Sequence, residues 1–266
     1  METPPPGFQP PNSNYPRYSP YGYGPIPPGP PVVRFSAIAD AWNLMRQDWG
    51  TWVLAVLVVG VVSAIMVIPA SLLLNYLFYG NILGVGAVPF DARYFAHFVV
   101  NGLVSTALSY PAVAGLYFMV LKRLRGERYS IGDAFAGFSH FPNLVVAGAA
   151  TWVLLYGGLL LLIVPGLYAM GVTAFAPLVA IDQKCGGIEA VRISIEALKK
   201  QGFAMFGLLF VTYVVVLAGF LACCIGILFT TPLLYFVVAL HYHAMFPPQG
   251  AYGQQAVMPA APQFSA

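Results

Sequence analysis

Charge is what this sequence has least of. Only 8 % of its 266 residues are Asp, Glu, Lys or Arg, against 59 % apolar, and the mean hydropathy is +0.76. A soluble domain carries about 25 % charged residues, so this chain cannot cover a globular surface in water. No segment interleaves basic and aromatic residues as nucleic-acid binders do, and no nucleic-acid partner is expected. Cysteine is scarce as well. Cys185, Cys223 and Cys224 show neither the CxxC nor the Cys/His spacing of a zinc site and read as small packing residues. HExxH, GxSxG and Walker A patterns are missing, so no catalytic residue, metal or cofactor is expected. The opening Met1-Glu2-Thr3-Pro4-Pro5-Pro6 lacks the basic and apolar regions of a cleavable signal. The first apolar span is therefore expected to direct insertion.

What is present is a series of long uncharged runs. Six spans are predicted, at about 52–76, 97–121, 143–164, 167–181, 203–224 and 228–246. A helix needs about 20 residues to cross a hydrocarbon core of roughly 30 Å. The 39 residues from Asn143 to Ile181 would make a helix of about 58 Å, so they are read as two crossings with a turn at Pro165-Gly166. Of the 12 basic residues only Arg93 falls in a loop assigned to the outside. Arg17, Arg34 and Arg46 precede the first span, Lys122, Arg123, Arg125 and Arg128 follow the second, and Lys184, Arg192, Lys199 and Lys200 lie between the fourth and fifth. Lys and Arg concentrate on the cytoplasmic side, so both termini are expected there. Residues 1–33 and 247–266 are rich in Pro with Tyr, Gly or Gln, a composition that buries too little apolar surface to order itself. They are read as disordered cytoplasmic tails that a protein partner could recognise, and 34–246 as the membrane domain.

An internal repeat is visible. Phe35, Ile38, Trp42 and Met45, then Ile188, Val191, Ile195 and Leu198, share one helical spacing. Ile131, Phe135, Phe138 and Phe141 form a looser counterpart, opened by a Ser130/Asp133 capping-box pattern. Each is read as a short amphipathic helix at the membrane interface. A proline marks the second span of each pair: Pro111, Pro177, and Pro232 at the opening of the sixth. The stretches Pro111–Lys122 and Pro232–His243 also share Tyr117-Phe118 and Tyr235-Phe236. The predicted fold is thus an all-α integral membrane protein, with six transmembrane helices in three hairpin-like units, each preceded by an interfacial helix.

Val164-Pro165-Gly166-Leu167-Tyr168, Phe175-Ala176-Pro177-Leu178-Val179-Ala180-Ile181-Asp182 and Gly187-Ile188-Glu189-Ala190-Val191-Arg192-Ile193-Ser194 carry a resemblance, joined by Ile225-Gly226 and Thr230-Thr231-Pro232. Over about residues 35–246 the chain resembles a group of prokaryotic six-span proteins. That group includes the membrane domain found ahead of some glycerophosphodiester phosphodiesterases and related uncharacterised families. The resemblance implies a helical fold in a prokaryotic cytoplasmic membrane and transfers no catalytic residue.

The predicted membrane interior holds no Asp, Glu, Lys or Arg, which disfavours proton-driven or ion-coupled transport. Asn101, Ser105 and Ser109 form an i, i+4, i+8 stripe before Pro111. With Pro111, Pro177 and Pro232 they are the candidates for lining a cavity, where interrupted helices offer free carbonyls. Interhelical hydrogen bonding is the plainer role for the stripe. His97, His241 and His243 are placed at span ends, and Gly80/Gly84 form a GxxxG in a loop. Two functional classes follow. One is a non-enzymatic module that binds partners through its tails or organises the bilayer, with homo-oligomerisation left open. The other is a transporter or channel-like protein for a neutral, amphipathic or lipid-like substrate. A membrane enzyme would draw on Asp133, His140, Asp182 and His243.

Overall fold

The computed structural model describes residues 32–82, 91–222 and 226–246, and every regular element among them is helical. Helix α1 (Ala37–Met45) leads through a 3-10 turn (Arg46–Asp48) into α2 (Trp49–Tyr79). Helix α3 (Ala92–Leu124) is followed by a ten-residue 3-10 helix (Ile131–His140) and α4 (Phe141–Leu161). Then come α5 (Ile163–Val172), α6 (Ala176–Asp182), α7 (Gly187–Leu198), α8 (Gly202–Ala222) and α9 (Gly226–Met245). Six segments are long and apolar enough to span a membrane: Ala37–Tyr79, Ala92–Leu124, Ile131–Leu161, Ile163–Asp182, Gly202–Leu221 and Gly226–Met245.

Local chemistry sets the helix ends. Asp91 caps α3, its Oδ1 accepting the N–H groups of Arg93 and Tyr94, both at 3.0 Å. At the other end Gly126 adopts φ +73°, Gly126 N–H returns to the Arg123 carbonyl and Glu127 N–H to that of Lys122. This is the Schellman closure that glycine permits. Lys122 and Arg123 in the last turn complement the helix dipole.

The fourth span departs from its expected form in two places. Its turn is the single extended residue Leu162, not Pro165-Gly166. Pro165 sits in the first turn of α5, where a missing N–H has no helical partner to lose. The span is also broken between α5 and α6, and Pro177 explains how. Lacking an N–H, it leaves the Thr173 carbonyl to take the Ala176 N–H at 3.0 Å. That frees the Val172 carbonyl and the Phe175 N–H. The Ser194 hydroxyl, fully buried on α7, donates to the first at 2.7 Å and accepts from the second at 3.1 Å.

Helices pack as sequence neighbours and then onward. α2 lies on α3, α4 on α5 and α8 on α9; α3 also contacts α4, α5 contacts α8, and α9 contacts α2. The short helices have their own seats: α1 on α9, the 3-10 helix on α3, α7 on α6 and α4. Burial divides the six long segments. In an apolar 18-residue stretch of each, 44 %, 56 % and 44 % of residues are buried in the second, fourth and sixth, against 11 %, 17 % and 22 % in the first, third and fifth. The second, fourth and sixth therefore form the interior.

The short helices bury faces that coincide only in part with the stripes read in the sequence: Met45, Val191 and Leu198 are buried, whereas Phe35, Trp42 and Ile188 are exposed. α1 buries Ala37, Ala41, Leu44 and Met45 and exposes Trp42, with Phe35 exposed just before it. The 3-10 helix buries Ala134 and Gly137, three apart as its period requires, and leaves Phe135 and Phe138 half-buried. α7 buries Gly187, Ala190, Val191, Ser194 and Leu198 while Ile188 is exposed. Contact is very close: a Cβ on Gly115 would overlap the Ala134 carbonyl, and one on Gly137 the Pro111 carbonyl. The carboxylate arm of the expected capping box forms, Ser130 N–H donating to Asp133 Oδ2 at 2.7 Å.

Other expectations shift in detail. Pro111 and Pro232 lie inside continuous helices, Pro232 well within α9 and not at its start. Pro69 likewise lies inside α2, so proline does not single out the second span of each pair. Tyr117 follows Pro111 by six residues whereas Tyr235 follows Pro232 by three, which puts the two stretches out of register. Val33, assigned to the tail, is buried, and its N–H bonds Gln201 Oε1 at 2.6 Å. Glu196 of α7 pairs with Lys199, the residue just past its end. Residues 1–31 and 247–266, Gly84, Cys223 and Cys224 lie outside the described residues.

Three substitutions test this packing by thermal unfolding of the purified protein. Gly115→Val should cost about 1–3 kcal/mol, the usual range for overpacking, whereas Gly60→Ala, with nothing near its Cβ, should be neutral or stabilising by up to about 1 kcal/mol. Ser194→Ala should cost about 1–3 kcal/mol by stranding two buried backbone groups.

Candidate functional site

The stripe Asn101, Ser105, Ser109 is half-buried along α3. Its neighbour on the helix surface, Gly102, Thr106 and Tyr110, makes the contact with α4. Gly102 abuts Trp152, Gly148 abuts Thr106 and Tyr110, and the Tyr110 and Thr151 hydroxyls lie 3.3 Å apart. The stripe is thus turned to the flank of that interface. Ser109 donates to the Ser105 carbonyl at 2.7 Å, a local bond that satisfies its hydroxyl within its own helix. Asn101 Oδ1 is buried without a hydrogen-bond partner among the described residues.

The three prolines do not converge with the stripe. Pro111 presents its carbonyl to Gly137, and Pro177 starts α6 beside the helix break. Pro232 lines a cavity of about 190 Å³ together with Trp42, Met45, Arg46, Trp49, Val53 and Phe229. That cavity lies between α1, the start of α2, and α9.

The densest polar constellation was not anticipated. Arg125, just past α3, meets Asp182 at the end of α6 through two parallel bonds, Nη1–Oδ1 at 2.7 Å and Nη2–Oδ2 at 2.8 Å. The Tyr242 hydroxyl of α9 adds a third bond to Oδ2 at 2.8 Å. Arg125 and Asp182 side chains are only 16 % and 14 % exposed. Burial works against the Arg125 charge, but the Asp182 carboxylate outweighs it, and the guanidinium is held above its ordinary pKa. Phe175 and Phe246 pack on the Tyr242 ring at 5.6 and 4.9 Å. One ion pair therefore ties together the ends of the three interior segments. The residues are far apart in sequence and belong to common cytoplasmic-loop types, so only the opposite charges at two predicted span ends could have hinted at it.

Further pairs surround it. Lys122 binds Asp133 at 2.8 Å. Asp48 accepts from Tyr129 at 2.8 Å and lies 3.4 Å from Arg123, which also bonds Gln47. His241, expected at an interface, is buried. Its Nε2 accepts the Arg34 N–H at 3.1 Å, so Nδ1 carries the proton and donates to the Val237 carbonyl at 2.8 Å. His97 lies against the rings of Phe78 and Tyr79. Of the acids and histidines an enzyme would draw on, Asp133 and Asp182 are held by separate cations and His140 bonds Ser139 at 2.9 Å. No cluster of three potential metal ligands occurs among the described residues. Cys185 is half-buried, and burial with Glu189 nearby pushes its thiol pKa up, which disfavours the reactive thiolate.

The arrangement describes a helical protein whose interior segments are closed by packing and bound at one end by charge. Comparison with protein-family models, with curated proteins and with solved structures found no match.

Removing one partner of a buried ion pair leaves an uncompensated charge. Asp182→Asn should therefore destabilise the protein by about 3–5 kcal/mol, while Arg125→Met combined with Asp182→Leu should recover most of the loss. Thermal unfolding of the three proteins compares them directly, and equal loss in the single and double variants would remove the pairing argument.

Proposed function

We propose that this chain is a non-enzymatic polytopic protein of a prokaryotic cytoplasmic membrane, with both termini on the cytoplasmic side. In this reading it acts as a partner-binding or membrane-organising module. The six-span architecture comprises three units: α1–α3, the 3-10 helix with α4–α6, and α7–α9. Each begins with a short helix and continues as an outgoing and a returning span. The packing supports the repeat, because each returning segment supports the next unit in the same way. α3 carries the 3-10 helix and α4, α5/α6 carry α7 and α8, and α9 carries α1 and α2. The ring closes on itself. The resemblance to the prokaryotic six-span group is in keeping with this arrangement.

The observation that carries the module reading is the filled and fastened centre. α3 packs on both α6 and α9. Leu116, Met119, Val120, Phe175, Leu178, Phe236 and Val237 are all at most 4 % exposed, and the Arg125–Asp182–Tyr242 bonds tie the segment ends. A solute passing among the interior segments would have to part a bidentate ion pair and an aromatic cluster together. The large exposed apolar surface of α2, α4 and α8 suits a body embedded in lipid that organises its surroundings. One feature favours the transport alternative, the unpartnered Asn101 Oδ1 on a half-buried polar stripe.

Cysteine accessibility separates the two. In a chain with Cys185, Cys223 and Cys224 replaced by Ala, Asn101→Cys, Ser105→Cys and Ser109→Cys should resist a water-soluble thiol reagent applied from either side. Residue 36 carrying Cys should react only from the cytoplasmic side, and residue 91 only from the outside. Labelling along the stripe would overturn the module reading in favour of a pathway, and reversed labelling of residues 36 and 91 would overturn the orientation.

A further inference from the structure

Two consecutive backbone N–H groups ahead of α1 are held by side chains from far along the chain. Val33 N–H donates at 2.6 Å to Oε1 of Gln201, in the turn between α7 and α8. Arg34 N–H donates at 3.1 Å to Nε2 of His241, on α9. Val33 and Ala37 are buried, α1 packs on α9, and the Phe35 ring lies over Gly207 of α8. Residues 33 and 34 therefore form a strap across the seam where the first short helix meets the last span. Backbone donors outside a helix must find another partner. Here both partners are side chains, and one of them is titratable.

The accepting role fixes what His241 can be. Nε2 takes the Arg34 N–H only while it is bare, and the one ring proton sits on Nδ1, donated to the Val237 carbonyl at 2.8 Å. A second proton would turn Nε2 into a donor facing a donor. Turning the ring over offers no escape, because both nitrogens of a charged imidazole donate. The residue is 5 % exposed, so water does not solvate that charge while the strap is in place. Arg34 and Asp40 are the charged groups that act on the ring, with opposite signs. α2 and α8 carry no charged residue. At the end of α3, Lys122, Arg123 and Arg125 pair with Asp133, Asp48 and Asp182, while Arg93 and His97 lie at its other end. Beside Gln201, Lys199 pairs with Glu196 and Lys200 is exposed. His243, two residues on, turns to another helix face, where Arg125 and Asp182 act on it.

We infer that residues 33–34 form an acid-released latch: neutral His241 holds the strap on α9, and a proton at Nε2 breaks the bond to Arg34 and lets the segment before α1 leave the seam. The held form carries no proton at Nε2 and the released form can take one, so release rises as pH falls. One proton is involved, which limits the change in the released-to-held ratio to about tenfold per pH unit. Histidine is the side chain whose charge changes between about pH 5 and 8. Gln201 does not titrate, and its bond to Val33 favours the held form at every pH alike.

The test uses the full chain with Cys185, Cys223 and Cys224 replaced by Ala and a nitroxide on Val32→Cys, in lipid nanodiscs that open both faces to buffer. Val32 is 58 % exposed beside the strap, and the spin-label spectrum separates held from mobile populations. From about pH 8 to about pH 5, where histidine titrates, the mobile-to-held ratio should rise by up to about tenfold per unit. His241→Gln puts an amide oxygen in the place of Nε2 without a titrating group, and should stay held and flat across the range. His241→Leu should be mobile and equally flat. Gln201→Leu should raise the mobile fraction throughout and keep the transition. A label on Ser139→Cys, on the exposed side of the 3-10 helix, should not respond. A parent ratio flat with pH, or a transition that persists in His241→Gln, overturns the latch. A His241→Leu chain that stays held shows that the histidine bond is not what fastens the strap. Mobilisation at residues 32 and 139 together would be acid unfolding of the whole domain, and overturns the latch as well.

Discussion

Helices surrounded by hydrocarbon gain little from hiding apolar side chains from one another, because the lipid is as apolar as they are. What joins them must be close backbone contact and a few polar bonds, and the rest of this fold depends on that constraint. Gly115 against Ala134, Gly137 against Pro111, Gly171 against Gly202 and Gly187 against Asn143 are the places where short helices or neighbouring spans approach backbone to backbone. Large apolar residues are free to face outward, as Phe35, Trp42 and Ile188 do. Large residues also fill the centre, Trp52, Phe175, Phe236 and Tyr242 among them, so small residues are required only at the closest backbone contacts.

Polar bonds are few and concentrated where they fasten segment to segment. Arg125 and Asp182 join two span ends and Tyr242 adds the third, while Ser194 repairs the interruption that Pro177 imposes. These groups are spent on closure.

The number and placement of long apolar helices were legible in the sequence because uncharged runs of about 20 residues have few other uses. Capping at Asp91 and the stop after Arg125 use equally local chemistry. Tertiary choice was harder to read. Pro165-Gly166 carries the composition of a turn, yet proline is also tolerated in a first helical turn, so the reversal moved to Leu162. The stripe through Phe35, Ile38, Trp42 and Met45 was legible as an interfacial amphipathic pattern, but periodicity alone does not say which of its residues meet protein: Met45 is buried while Phe35 and Trp42 are exposed. Of the cavity candidates only Pro232 borders the described cavity.

Helix α2 contains 31 residues from Trp49 to Tyr79 without a single charge, a length of about 46 Å at the usual rise. A bilayer core is about 30 Å thick, so a segment that long and uninterrupted must lean steeply, thicken the lipid around it or carry an apolar tip beyond the core. α8 and α9, with 21 and 20 residues, match the core nearly upright. Packed neighbours therefore meet the bilayer differently, α2 by leaning, thickening the lipid or reaching past it, α8 and α9 by length alone. A protein built this way is sensitive to membrane thickness through its shape alone.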